Sequence, residues 1–161
     1  MSTGKRQQRK VSTAESEDDV DRVNQFFNST EIKRDLHWFT YRDTLIRAFE
    51  REARRLLYVE DKHGNVVGAL MVWCESRVLD DGEAQIRLVA VDPDHRGDGI
   101  GVLLCECAEA FAIRQSQDRM IADVVTGSQA VDFWHSIGYE TVEEWKTDGG
   151  RAMLTVEKPL Q

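Results

Sequence analysis

No stretch of this chain approaches the roughly 18 apolar residues that a membrane helix requires. The opening MSTGKRQQRK also lacks the apolar core of a secretory signal. Both absences point to a cytoplasmic protein with no membrane partner. Positive charge is in short supply, with 21 Lys and Arg against 29 Asp and Glu and a formal net charge of -8. That balance argues against nucleic acid as a partner and favours a neutral or cationic one. Cysteine is scarce as well. Cys74, Cys105 and Cys107 are odd in number and their CEC spacing fits no common zinc or redox motif, so they read as buried thiols acting as small apolar residues, and no metal is expected. What the chain does have is 161 residues at 41% hydrophobic content, enough for one well-buried core and too little for two ordinary domains.

Residues 1–8 carry Lys5 and Arg6 among glutamines with almost no apolar side chains, and are expected to form a disordered basic tail ahead of a single domain over 9–161. Within that domain RKVST fits a short strand, and SEDDVDRVNQFF fits an acid-started helix with Val20, Val23 and Phe27 on one face. EIKRDLHW is irregular or weakly helical, whereas YRDTLIRAFEREA places Leu45, Ala48 and Phe49 at helical spacing. RLLYVED and VVGALMVWCE are strands joined through the turn KHGN. After VLDDGE come a strand AQIRLVAVD, a helix GIGVLLCECAEAFAIRQ, a strand MIADVV, a helix SQAVDFWHSI, and a closing hairpin of YETVEEWK and AMLTVEK. The order is mixed α/β with a central sheet.

The stretch HRGDGIGVLL sets three glycines on alternate positions at a strand-to-helix turn. The first turn of a helix presents unpaired N–H groups and the positive end of its dipole, and glycines let a phosphate approach that backbone. Gly97, Gly99 and Gly101 do not fit the dinucleotide pattern G-x-G-x-x-G, because position 102 is Val, and no Gly-Lys-Ser or Gly-Lys-Thr follows to make a P-loop. Arg96-Gly97-Asp98-Gly99-Ile100-Gly101 resembles instead the R/Q-x-x-G-x-G/A segment of the GNAT family of N-acetyltransferases. AVDFWHSIGY resembles that family's second motif, A-x-x-x-Y-x-x-x-G-F, and the likeness runs from about residue 9 to the end.

The resemblance implies a GNAT fold: a mixed, mostly antiparallel sheet of about six or seven strands with a splayed parallel pair, here IRLVAV and MIADVV, flanked by about four helices. It implies acetyl-CoA as co-substrate. The main chain of Val89, Ala90 and Val91 would pair with the pantetheine arm, and Arg96, Gly97, Asp98, Gly99, Ile100, Gly101 and Val102 would cradle the pyrophosphate, with the Asp98 carboxylate turned outward. A side chain at Gly99 or Gly101 is expected to block that anion while leaving the fold intact. Ser128, or Gly127, stands where the family has an asparagine, and Phe133 and Trp134 fall beside the arm.

Transfer to an amine needs a free lone pair. At pH 7 a lysine-like amine near pKa 10.4 gives one up at a cost of about 4.6 kcal/mol, an α-amine near 8 at about 1.4 kcal/mol. One common position of the family's glutamate base is Gln85 here, which cannot take a proton but can position water. Glu83, on the same face of the strand, is the first candidate, and Asp123 on the next strand is the second. Trp134 replaces the tyrosine that returns a proton to the CoA thiolate. An indole is no acid near neutrality, so water, His135 or Tyr139 would substitute, with His135 expected on the surface. In relatives the acceptor enters opposite CoA, past segments that here carry Glu31, Asp35, Trp38, Phe39 and Trp145, acids and aromatics suited to a cation.

These residues imply an N-acetyltransferase acting on a primary amine, either a cationic small molecule or a protein or peptide N-terminus, with a homodimer as the assembly to test for. Two alternatives use the same fold: a module that holds acyl-CoA without turnover, and a modifier of aminoacyl-tRNA.

Overall fold

A computed structural model describes residues 10–29, 31–32 and 42–160. The basic tail and residues 33–41 lie outside that set. Seven strands form one sheet in the order β1-β2-β3-β4-β5-β7-β6. They are β1 (Val11–Thr13), β2 (Arg54–Glu60), β3 (Val66–Trp73), β4 (Glu83–Val91), β5 (Arg119–Val125), β6 (Glu140–Lys146) and β7 (Ala152–Pro159). Every neighbouring pair is antiparallel except β4 and β5. Four α-helices flank the sheet among the described residues: α1 (Glu17–Phe27), α2 (Arg42–Glu50), α3 (Ile100–Arg114) and α4 (Gln129–Ser136).

Local chemistry accounts for these elements. The Ser16 side chain accepts from the Asp19 N–H at the start of α1, whose first turn carries Glu17, Asp18 and Asp19 against the helix dipole. Val20, Val23, Phe26 and Phe27 are buried along that helix, and with Leu45 and Ala48 of α2 they cover one face of the sheet. Helix α3 is apolar on most sides because it fills the other face, where Leu104, Cys105, Ala108 and Phe111 meet Leu57, Leu70 and Val72. Asp92 caps a short 3-10 turn, Pro93–His95, that the sequence pattern did not show; a proline at its start needs no N–H partner.

One irregularity in β4 shapes everything that follows. Met71 of β3 pairs with Leu88 but its neighbour Val72 pairs with Ile86, which leaves Arg87 as the extra residue of a bulge. Parity changes there: Ala84 and Ile86 pack on the α3 side, whereas Leu88 and Ala90 pack on the side of α1 and α2. A bulge also bends its strand, and β4 pairs with β5 only through Glu83–Arg119, Ala84–Met120 and Gln85–Ile121. Beyond Gln85 the two parallel strands part.

The buried thiols and one phenol predict how stability depends on pH. Cys74 and Cys105 are buried and Cys107 is half-buried. Burial pushes the Cys74 thiol up to about 12 and raises Cys105 further. Tyr139, 1% exposed, is raised by burial and by Glu109, whose carboxylate accepts its hydroxyl proton at 2.8 Å. A group whose folded pKa exceeds its unfolded value holds its proton longer in the folded state, so the unfolded chain binds fewer protons once pH passes the unfolded value. Unfolding free energy is therefore expected to fall above about pH 8.5 to 10, the ordinary range of thiols and phenols, by up to about 1.4 kcal/mol per pH unit for each group. Urea unfolding at pH 8 and pH 10.5 checks this; equal stability at both would contradict it.

Candidate active site

Two features of the fold meet where β4 and β5 part. On the α3 side lies the glycine turn. Gly97 and Gly99 have φ of 88° and 80°, a left-handed backbone that side chains disfavour. A Cβ added at either would meet nothing within 4 Å, so the turn faces open space. Gly99 is the N-cap of α3 and offers no side chain there. The first N–H groups of α3 are thus left to whatever occupies that space. Arg96 Nε donates to Val91 O at 3.3 Å and ties the turn to the end of β4. The Asp98 side chain is half exposed, with its carboxylate 4.0 Å from His95 Nδ1.

Gly101 does something else. A Cβ there would sit 3.3 Å from the Phe133 ring and 3.6 Å from Val91. Its lack of a side chain lets α3 approach Phe133 of α4, so a side chain at Gly101 is not the clean block of an anion site expected from the sequence; it disturbs packing. Ile100 is fully buried and Val102 half-buried beside it. Val89, Ala90 and Val91 are half-buried on the stretch of β4 that has left β5. Ser128 gives its hydroxyl proton to Val125 O at 2.7 Å. Trp134 is buried at 4% exposure, edge-on to Tyr139 with ring centroids 4.8 Å apart. His135 is exposed and its Nε2 lies 3.1 Å from Thr141 Oγ1.

On the opposite face, a cleft of about 700 Å³ is lined by Glu83, Gln85 and Arg87 of β4, Asp123 of β5, Glu143 and Trp145 of β6, and Thr155 and Glu157 of β7, among others. Asp123 is the hub. Its Oδ1 accepts from Thr155 Oγ1 at 2.7 Å, and Thr155 accepts from Trp145 Nε1 at 3.0 Å. Its Oδ2 accepts from Gln85 Nε2 at 3.4 Å, and Gln85 Oε1 accepts from Arg87 Nη1 at 3.1 Å. The Arg87 guanidinium is itself held, 4.4 Å from the Trp73 ring on which Arg54 also stacks at 3.7 Å. Gln85 and Thr155 are buried at 5% and 9% exposure, while Asp123 is exposed to the cleft.

Glu83 lines the same cleft but is committed. Its Oε1 accepts from the Asp80 N–H at 3.0 Å and its Oε2 lies 3.4 Å from Arg119, contacts that tie the preceding loop to the start of β4. Tyr139 points the other way, into the α3 side, where Glu109 holds its hydroxyl. Burial that raises its pKa suits a neutral phenol held in a core rather than one that gives up a proton to the cleft. Of the expected acceptor residues, Trp145 lines the cleft. Glu31 is exposed outside it, and Asp35, Trp38 and Phe39 lie outside the described residues. No sequence pattern singles out Arg87, Thr155 or Glu157, whose place depends on a bulge and on the register Asp123–Thr155.

The described residues hold no cluster of His, Cys, Asp and Glu suited to a metal ion, and no helix among them is long and apolar enough to cross a membrane.

Comparison with known proteins now bears on this geometry. The family model described as the acetyltransferase (GNAT) family matches residues 20–139. A search of curated proteins finds no match to the sequence. Solved structures resemble the fold at low identity. The ribosomal-protein-S18-alanine N-acetyltransferase from Escherichia coli is 16% identical, with 96% of this chain and 95% of that one covered and a TM-score of 0.72. Chaetomium thermophilum Naa20 in complex with a bisubstrate analogue is 21% identical over 94% of this chain and 86% of that one, with a TM-score of 0.75. An acetyltransferase of the GNAT family from Streptococcus pneumoniae is 15% identical, covering 96% and 100%, with a TM-score of 0.78.

Proposed function

Because the chain belongs to the GNAT family of acetyltransferases and is therefore an acyltransferase, we propose that it moves the acetyl group of acetyl-CoA to a primary amine that enters the cleft as a cation, with Asp123 as the base. One observation carries this reading: a carboxylate with both oxygens hydrogen-bonded stands where β4 and β5 part, opposite a bare glycine turn.

Acetyl-CoA supplies an activated thioester. The residues able to hold it are the N–H groups of 97–102 for the diphosphate, Arg96 for added positive charge, and, for the arm, the edge of Val89, Ala90 and Val91 that has left β5 while β3 still pairs with the other edge. Phe133, which lies with Val91 against Gly101, borders that track. Among the described residues that line the cleft, Asp80, Glu83, Asp123, Glu143 and Glu157 outnumber the single Arg87, which favours an acceptor that arrives positively charged. Asp123 takes a proton from the ammonium, directly or through water held by Gln85. The freed lone pair forms the N–C bond as the C–S bond breaks, and the second nitrogen proton passes through solvent to the departing thiolate. A thiolate of pKa near 8.5 leaves without a dedicated acid, which accords with an indole at position 134.

The acidic cleft argues against aminoacyl-tRNA as acceptor. Binding of acyl-CoA without turnover is the reading that Trp134 in the tyrosine's place would favour. Release of free thiol from acetyl-CoA with spermidine, lysine amide and a tripeptide bearing a free α-amine separates the readings. Amine-dependent release is expected with at least one of the three; tight acetyl-CoA binding with no release would favour the binding module instead.

A further inference from the structure

The hydrogen bonds that end on Asp123 have a direction. An indole N–H donates and never accepts, so Trp145 Nε1 must donate to Thr155 Oγ1, and the threonine's own proton is left for Asp123 Oδ1. A guanidinium likewise only donates. Arg87 Nη1 therefore faces the oxygen of the Gln85 amide, which turns Gln85 Nε2 toward Asp123 Oδ2. Both chains start at a group that can only give and end on the same carboxylate. Neither can reverse.

The two ends differ in grip. At 2.7 Å the Thr155 contact is in the short range of a hydroxyl on a charged oxygen, whereas the Gln85 contact at 3.4 Å is long. Thr155 is only 9% exposed, which limits how far water competes for its hydroxyl. Oδ1 is thus held firmly and Oδ2 lightly. We propose that Thr155 and Trp145 of the closing hairpin are positioning residues for the transfer: they fix Asp123 Oδ1 as a permanent acceptor and leave Oδ2 as the oxygen that takes the proton from the amine. This assignment rests on the reading of Asp123 as the base. It makes the last hairpin, which lies far along the chain from the glycine turn, part of the reaction centre.

Other charged groups face Asp123 in the cleft: Asp80, Glu83 and Arg87 from the β4 side, Glu143 from β6 and Glu157 from β7. A test must separate their influence from that of the relay. In the full chain labelled with nitrogen-15, the Trp145 indole resonance is assigned by its loss in Trp145→Phe. Asp123→Asn, which does not touch the indole, is expected to displace that resonance. In the Thr155→Val background the same Asp123→Asn change is expected to leave it where it was, and in the Thr155→Ser background the displacement returns. An equal displacement with and without the threonine hydroxyl would mean that the cleft's general field, and not the relay, connects the two residues, and would overturn the proposal.

Kinetics supply the second arm, with whichever amine of the three turns over. Thr155→Val is expected to lower kcat/KM about tenfold at pH 7, with a larger loss at pH 6 than at pH 9 and unchanged acetyl-CoA affinity, while Thr155→Ser stays within about threefold of wild type. Trp145→Phe, which keeps the ring's bulk, is expected to fall in the same direction by about threefold, and it tests the relay should Thr155→Val fold poorly. A uniform loss at every pH would mark a merely structural role and overturn the proposal. Displacement through the relay together with full activity of Asp123→Asn would sink the base assignment and the positioning role with it. Loss of activity in Asp123→Asn without any relay would sink the positioning role alone.

Discussion

Asp123→Asn is expected to lower kcat/KM about 100- to 1,000-fold at pH 7 while leaving acetyl-CoA affinity and thermal stability close to wild type. The range follows from what a positioned base contributes and from the cost of about 4.6 kcal/mol for freeing a lysine-like amine at neutral pH. An asparagine fills the same volume, so β5 keeps its place. Thr155 can still donate to the amide oxygen, but the other end of the amide becomes an NH2 facing Gln85 Nε2, donor against donor, and the cleft loses its proton acceptor. Glu83 does not substitute, because it is ion-paired with Arg119 and only partly exposed, whereas Asp123 accepts from neutral groups and is exposed to the cleft. Thiol-release rates across a concentration series of the active amine, with calorimetry for acetyl-CoA, check the split.

Gly99→Glu is expected to weaken acetyl-CoA binding at least about 100-fold, or about 2.7 kcal/mol. Three effects act together. A φ of 80° costs any L side chain roughly 1 to 2 kcal/mol, the new side chain enters the open space where the diphosphate would lie, and its carboxylate repels that diphosphate at the start of a helix. Gly99→Ala bears the backbone cost without the length or the charge, and is expected to lose about tenfold or less. Gly101→Glu differs in kind. Its Cβ meets the Phe133 ring at 3.3 Å, so it lowers the melting temperature before it reports on binding. Unchanged acetyl-CoA affinity in Gly99→Glu would remove the turn from the site.

The parts of this account that were legible in the sequence are those written in short stretches of chain. Alternating glycines between a strand and an apolar run point to an anion site within ten residues. The closing hairpin, the acid-started first helix and the other three helices with their strands follow from local periodicity, and the structure has them within a few residues of the expected ends. The candidate base was harder. Alternation sets Glu83, Gln85 and Arg87 on one face, and all three line the cleft; the bulge at Arg87 changes the parity of Leu88 to Val91 beyond them, and nothing in AQIRLVAV marks the extra residue. From the sequence Glu83 reads as available, because its partners, Arg119 and the Asp80 N–H, meet it only through the β4–β5 register and the loop geometry. Thr155 looked like any residue of an alternating strand. Its importance arises from facing Asp123 across β5 and β7, a long-range pairing that a sequence states nowhere.

The ratio of wild-type kcat/KM to that of Asp123→Asn, followed from pH 6 to pH 9.5 with the active amine, decides whether Asp123 is the base. If Asp123 takes the proton of an incoming ammonium, its help matters most where the amine is protonated and least where solution has already freed it. The ratio is then largest at pH 6 and falls by up to about tenfold per unit as pH approaches the amine's own pKa, near 8 for an α-amine and near 10.4 for a lysine-like one. A ratio that stays flat across that range, or one near unity at pH 6, would rule out Asp123 as the base.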